Sequence, residues 1–198
     1  MDLEQEKELF FKAKTDADAF GLLYDEYYPK ILGYVLLRTA SAETARDITS
    51  EVFLKALQNI KNFQWRDIPF SAYLYRIAEH EISNGYRHDR QFILIKQEME
   101  NSAIISAISL DDEIALVESD IQKHEDFLLL HKCIIKLPHI YQEVIVLKYF
   151  EKKPTSEICN ILGKREGTVK SLLHRGLKKL KKLMDEDATF WENNGYPL

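Results

Sequence analysis

The sequence has little of what would place it outside the ordinary globular classes. Among 198 residues there are two cysteines, seven glycines and five prolines. Cys133 and Cys159 form no CxxC pair, which excludes a disulfide framework and suits a reducing compartment. No run approaches the ~18 consecutive apolar residues of a membrane span. The acidic start Met1-Asp2-Leu3-Glu4 lacks the character of a signal peptide. These absences predict a soluble, cytoplasmic chain. With 45% hydrophobic and 30% charged residues, wholesale disorder and collagen-like repetition are excluded. The length allows one domain or two small ones. A Gly-rich phosphate loop and a nucleophile motif are also missing. His131 and Cys133 have no second pair at metal-ligand spacing. Glu79 and Glu81, two apart on a helix, do not face each other as a catalytic pair would. The expectation is a protein that is not an enzyme and uses neither metal nor cofactor.

The net charge of −5 argues against a nucleic-acid partner until its layout is considered. Residues 1–90 hold 12 Lys/Arg and 15 Asp/Glu, residues 91–130 hold 2 and 9, and residues 131–198 hold 13 and 8. Within 152–182 there are 10 basic residues against 2 acidic. Such asymmetry predicts two modules with different partners, separated by an acidic spacer.

Periodicity along the chain is helical nearly throughout. From Glu43 to Asn62, Ile48, Val52, Ala56 and Ile60 recur every four residues, with Ala45, Phe53 and Leu57 widening the stripe. Upstream, Phe20, Leu23, Tyr24, Tyr27, Ile31, Tyr34 and Val35 give a similar face, with a break expected at Pro29. After the irregular stretch 64–69, Tyr73, Leu74, Ile77, Ala78 and Ile82 line another helix. The pattern weakens from Gln91 to about Asp126 and resumes at Phe127. Pro138 opens a helix, and Thr155 to Leu162 and Glu166 to Met184 form two more. The expected fold is all-α: a helical bundle over 1–90, a flexible acidic linker over 91–126, a helix-turn-helix domain over 127–184 and a tail over 185–198.

Residues 155–174 carry the most specific pattern. Ile158 and Leu162 face inward, Cys159 is small enough for close helix approach, and Gly163 falls where a left-handed residue ends a helix. Val169, Leu172, Leu173, Gly176, Leu177 and Leu180 keep the 3,4 spacing of a buried face. The opposite stripe is Gly167, Lys170, Ser171, His174 and Lys178. Such a stripe suits the major groove, and glycine at 167 lets backbone amides come close to a phosphodiester. The alternative is an ordinary helical hairpin with a solvated basic face. Ten basic residues concentrated there favour DNA through counterion release.

Leu137-Pro138, Gln142-Glu143-Val144, Tyr149-Phe150, Glu157-Ile158, Leu162-Gly163, Glu166-Gly167-Thr168-Val169-Lys170-Ser171 and Leu173-His174-Arg175 together resemble region 4 of bacterial RNA polymerase sigma factors. The similarity is to the extracytoplasmic-function (ECF) class of the sigma-70 family. Ala19-Phe20, Leu23-Tyr24, Tyr27-Tyr28-Pro29, Asp47-Ile48, Glu51-Val52-Phe53 and 70–78 resemble region 2 of that class. The resemblance implies that Asp47, Glu51 and Phe53 dock on the clamp helices of core RNA polymerase, and that region 4 meets the flap. It implies that Trp65, Arg66, Asp67, Arg76, Asn84, Tyr86, Arg87 and Arg90 hold the melted minus-10 strand, with stacking at ~1–3 kcal/mol per base. It implies that Lys164, Arg165, Glu166, Gly167, Thr168, Lys170, Ser171, His174, Arg175 and Lys178 read the minus-35 duplex. The plainer readings are a solvated face for Asp47 and Glu51, and a core aromatic for Trp65. An anti-sigma factor joins promoter DNA and polymerase among the implied partners.

The sequence departs from the family pattern at three places. Glu79-His80-Glu81 replaces basic or amide residues, Arg165 replaces a small hydroxyl cap, and Leu172 replaces an arginine. A stand-alone helix-turn-helix regulator is the competing reading, although it needs a dimer interface and leaves Asp47, Glu51 and Trp65 unexplained. The charge layout also suggests that the acidic linker folds back on 152–182 and masks DNA binding, an attraction that salt would weaken.

Overall fold

The computed structural model describes residues 2–39, 41–65, 68–88 and 119–193, with side chains throughout except at 85–88, 119–126 and 187–193. Arg66, Asp67, Arg90 and the segment 91–118 lie outside the described residues, as do the side chains of Tyr86 and Arg87. Among the described residues the fold is all-α, as the periodicity predicts. Eight helices are described: α1 Leu3–Ala13, α2 Ala17–Leu36, α3 Ala42–Asn59, α4 Phe70–His88, α5 Ser119–Lys136, α6 His139–Ile145, α7 Thr155–Leu162 and α8 Glu166–Asn193. α6 runs on into a π-turn, Val146–Phe150.

Local chemistry sets the helix ends. Asp2 and Gln5 form a reciprocal capping box at α1 (2.9 and 3.1 Å), and Asp16 and Ser41 cap α2 and α3. Glu6 of α1 is buried and accepts from the Phe70 backbone N–H at 2.7 Å, so a carboxylate supplied from a distant helix caps α4. Its other donor is the Tyr27 hydroxyl at 2.7 Å.

Three expectations are corrected. Pro29 does not break the chain, because α2 continues through it to Leu36. An interior proline costs about 3 kcal/mol, but Ile31, Leu32, Tyr34, Val35 and Leu36 are all buried beyond it. Their burial, worth ~1.5–3 kcal/mol per large apolar side chain, outweighs the lost hydrogen bond. The final helix does not stop at Met184, since α8 continues to Asn193. α5 likewise starts at Ser119, before the apolar run that begins at Phe127.

The first four helices wrap an aromatic centre. Phe10 is fully buried, and its ring lies 5.2 Å from Phe63, 5.4 Å from Trp65 and 5.4 Å from Phe70. In the second half α6 and α8 approach at Gly176, where a Cβ would stand 3.1 Å from Tyr141 Cβ. The buried apolar residues of the two halves belong to one cluster. Direct contacts join the halves across α2, α4, α5, α6 and α7. His131 Nε2 lies 3.0 Å from the Leu36 carbonyl. Lys153 donates to Ser71 Oγ at 3.1 Å, and the Tyr75 hydroxyl donates to Glu151. Arg38, with no exposed surface, pairs with Glu79 and reaches His139 Nε2 at 2.6 Å.

The ring of His139 is held neutral. Burial, with Arg38 and Lys164 nearby, pulls it down to about 4. Glu79 and Glu143 also face it at 4.0 Å each, and their pull is outweighed. Burial lowers His131 as well. Both imidazoles regain their ordinary value near ~6.5 when the structure opens, so the opened chain binds more protons in mild acid. The histidine contribution is complete above ~6.5 and is lost as pH falls from there toward ~4. The thermal midpoint is expected to drop between about pH 7.5 and about pH 5.5, and to drop less in His139→Gln. Equal drops in the two proteins would remove His139 as a titrating group.

Candidate nucleic-acid interface

α7 and α8 make a helix-turn-helix with the geometry that the spacing predicts. Gly163 ends α7 in the left-handed region at φ +62°, where any side chain is strained. Ile158, Ile161, Val169, Leu172 and Leu180 are buried between helices, while Leu162 and Leu173 are half-buried and Leu177 is exposed. Leu172, one of the departures from the family pattern, is therefore a core residue. On the outer face Arg165, Glu166, Gly167, Thr168, Lys170, Ser171, His174, Arg175 and Lys178 are all exposed. Nothing lies within 4 Å of where a Cβ on Gly167 would stand. Glu166 and Lys170 pair at 2.6 Å, and that hydrogen bond holds the carboxyl below its usual range. Arg165 stands at the N-cap position, and its carbonyl accepts from Thr168 at 2.9 Å and Val169 at 3.0 Å. Lys164 differs from this set: it turns inward to Glu143 at 3.2 Å.

Further along α8 the basic face continues. Arg175, Lys178, Lys179, Lys181 and Lys182 line an open groove of about 530 Å³ with Tyr141 and Asp185. Lys179, Lys181 and Lys182 were not singled out by motif, although the charge count over 152–182 includes them. A row of cations on one helix tracks a phosphate backbone through counterion release.

The second set of predicted contacts surrounds α4. Trp65 is half-buried against Phe10, and its Nε1 is buried with no hydrogen-bond partner among the described residues. Both readings of this residue thus keep some support: its body packs in the core while its polar edge is unsatisfied. Arg76 donates to the carbonyls of Asn160 at 3.2 Å and Ile161 at 3.4 Å, at the C-terminal end of α7. A guanidinium there complements the helix dipole. Asn84 Nδ2 lies 3.0 Å from His80 Nδ1. The Glu79-His80-Glu81 departure has a structural explanation. Glu79 accepts from Tyr34 and Arg38, and Glu81 pairs with Lys55 at 2.7 Å, tying α4 to α3.

On α3, Asp47 is exposed and Glu51 is half-exposed, paired with Lys55 at 3.2 Å. Phe53 is buried, with its ring 4.7 Å from Tyr24 and 6.0 Å from Tyr28. It supports the surface from beneath. The apolar groups facing outward on this helix are Leu54 and Leu57, each 47% exposed. Sequence reasoning missed Leu54, and placed Leu57 on the buried stripe. Their spacing beside Asp47 and Glu51 is the signal that could have found them.

Glu79, His139 and Glu143 bring ligand-type atoms within 4.8 Å of one another. Arg38 and Lys164 already neutralise the carboxylates, so the cluster is a buried ion network whose cations are side chains. Among the described residues no helix is long and apolar enough to cross a membrane.

The Sigma-70 region 2 family model matches residues 23–92, and the Sigma-70, region 4 family model matches residues 127–180. ECF RNA polymerase sigma factor SigW of Bacillus subtilis is 32% identical over 185 residues, covering 92% of this chain and 97% of SigW. The chain belongs to the ECF sigma factors of the sigma-70 family. ECF RNA polymerase sigma factor BldN of Streptomyces coelicolor is 30% identical over 173 residues, covering 87% of this chain and 63% of BldN. Among solved structures, the sigma factor RpoE in complex with the anti-sigma factor NepR, from Bartonella quintana, shares the fold. Its TM-score is 0.59 at 18% identity, over 84% of this chain and 96% of that one. As a member of this family the chain is a sigma factor of transcription initiation, a class of non-enzymatic proteins, and the stand-alone regulator gains no support.

The two glycines of the helix-turn-helix should behave oppositely. Gly163→Ala is expected to cost about 1–2 kcal/mol in urea denaturation, from left-handed strain. Gly167→Ala is expected to be neutral or to stabilise by up to about 1 kcal/mol, from helix propensity. Equal costs at both sites would contradict the assigned backbone geometry.

Proposed function

We propose that this sigma factor divides promoter recognition between its halves, which we take as 1–90, an acidic linker over 91–126, 127–184 and a tail over 185–198. The outer face of α8, with Arg165, Glu166, Gly167, Thr168, Lys170, Ser171, His174, Arg175 and Lys178, reads the minus-35 duplex, with Lys164 joining when freed from Glu143. Trp65, Arg66, Asp67, Arg76, Asn84, Tyr86, Arg87 and Arg90 hold the melted minus-10 strand. Asp47 and Glu51, with Leu54 and Leu57 beside them and Phe53 beneath, dock on the clamp helices of core polymerase, and the second half meets the flap. The chain works in the bacterial cytoplasm, and an anti-sigma factor is a further partner.

The observation that carries this reading is the two-faced α8. Its inner face buries Val169, Leu172, Gly176 and Leu180, and its outer face presents polar and basic groups in the register of a groove-reading helix.

The test is pull-down with core polymerase followed by run-off transcription from a promoter library. The chain is expected to be retained and to direct start sites sharing one minus-35 and one minus-10 motif. Retention without any directed start, together with tight binding of the chain alone to a palindrome, would point to a stand-alone regulator. Asp47→Ala combined with Leu54→Ala is expected to weaken retention at least about tenfold, the effect of losing ~1.4 kcal/mol. Gly167→Ala is expected to retain polymerase and stability while losing minus-35 affinity.

A further inference from the structure

We infer that Lys179, Lys181 and Lys182, which lie beyond the stripe assigned to base reading, clamp the phosphate backbone beside the minus-35 groove and set the strength of binding without reading its sequence. This rests on the assignment of α8 proposed above. Five of the eight residues from Arg175 to Lys182 are cationic and none is acidic. All five are exposed. Like charges three and four apart on a helix repel, and Arg175, Lys178, Lys179, Lys181 and Lys182 stand at those spacings. Two ordinary uses of helical lysines fail here. Pairing with a carboxylate one turn away would relieve the repulsion, but among the described residues only Lys182 of the five has an ion pair, to Glu186 at 3.6 Å. Compensation of the helix dipole needs cations in the last turn, and α8 runs on past Lys182 to Asn193. The crowding is left for an outside anion to relieve.

The register says which anion. Lys181 stands eleven residues after Lys170 and seven after His174, close to whole turns, so it continues the same stripe. Lys182 continues the stripe of Ser171 and Arg175 at the same two spacings. From Lys170 to Lys182 the helix rises about 18 Å, more than the ~12 Å width of a major groove. A helix seated by its first turns therefore carries its later turns onto the backbone that borders the groove. From Arg175 to Lys182 the cations extend over roughly 10 Å, a length in which duplex DNA carries about six phosphates. They line an open groove of about 530 Å³, which admits a continuous strand. Tyr141 reaches this groove because α6 lies against the bare Gly176. Lysine heads on flexible stems meet phosphates as point charges and carry no base code. These three residues therefore supply affinity and hold the helix in place, and the choice of sequence stays with the turns before them.

The test uses holoenzyme reconstituted from core polymerase and the full chain, bound across a range of salt to duplexes carrying a promoter from the run-off library and to variants of its minus-35 element. Lys179→Gln, Lys181→Gln and Lys182→Gln together remove three charges and keep the stems. The plot of log affinity against log salt is expected to flatten by about 2–3 in slope. Affinity at ~0.15 M salt is expected to fall at least about tenfold, by the same factor on every minus-35 variant. Lys179→Arg, Lys181→Arg and Lys182→Arg together are expected to keep both slope and affinity, and both triple variants to retain core polymerase. A glutamine triple with the wild-type slope overturns the clamp. So does one that changes the ranking of the minus-35 variants, since these residues would then read sequence. Unchanged DNA binding with weaker retention of polymerase also overturns it and assigns the row to an acidic protein surface. Equal losses in the arginine triple overturn it too, because charge would then not be what the positions supply. A wild-type holoenzyme that binds every minus-35 variant equally defeats the assignment of α8 itself, and the clamp with it.

Discussion

A guanidinium with no access to water must find its acceptors inside the protein, and Arg38 finds them in both halves of the chain. Tyr34 lies four residues back in the last turn of α2, Glu79 comes from α4 and His139 from α6. Losing any one of them would strand part of a buried charge, which costs several kcal/mol. The relative placement of α2, α4 and α6 follows from that requirement. So does the state of His139, which stays neutral beside a fixed positive charge.

Much of the helix-turn-helix was legible in the sequence because its signals are local. The Thr155–Leu162 helix and the left-handed Gly163 are written in spacing and residue type over a dozen positions. The outer face of α8 was legible for the same reason: a 3,4 pattern of buried residues leaves only one stripe for chemistry. Pro29 was misread because a local rule was applied where tertiary burial decides. The nine buried residues of α2 hold the helix together across a missing hydrogen bond.

The docking of the halves was not legible. Its contacts join residues far apart in sequence, such as Tyr75 with Glu151 and Arg38 with His139, and they are polar. Polar residues leave no periodic trace that says whether their partner is water or protein. Glu79 illustrates this well. In the sequence it stands only as a departure from a basic pattern, and its reason becomes visible once Tyr34 and Arg38 are seen donating to it. Leu54 escaped for the opposite reason, as an apolar residue on a face otherwise polar.

The length of α8 has a mechanical consequence. Twenty-eight residues make a rod of about 42 Å, and the stripe assigned to base reading occupies only its first half. Tilting such a rod by about 10° about its start would sweep the far end through roughly 7 Å. Anything that grips the distal turns therefore has leverage over the angle at which the proximal turns meet the duplex.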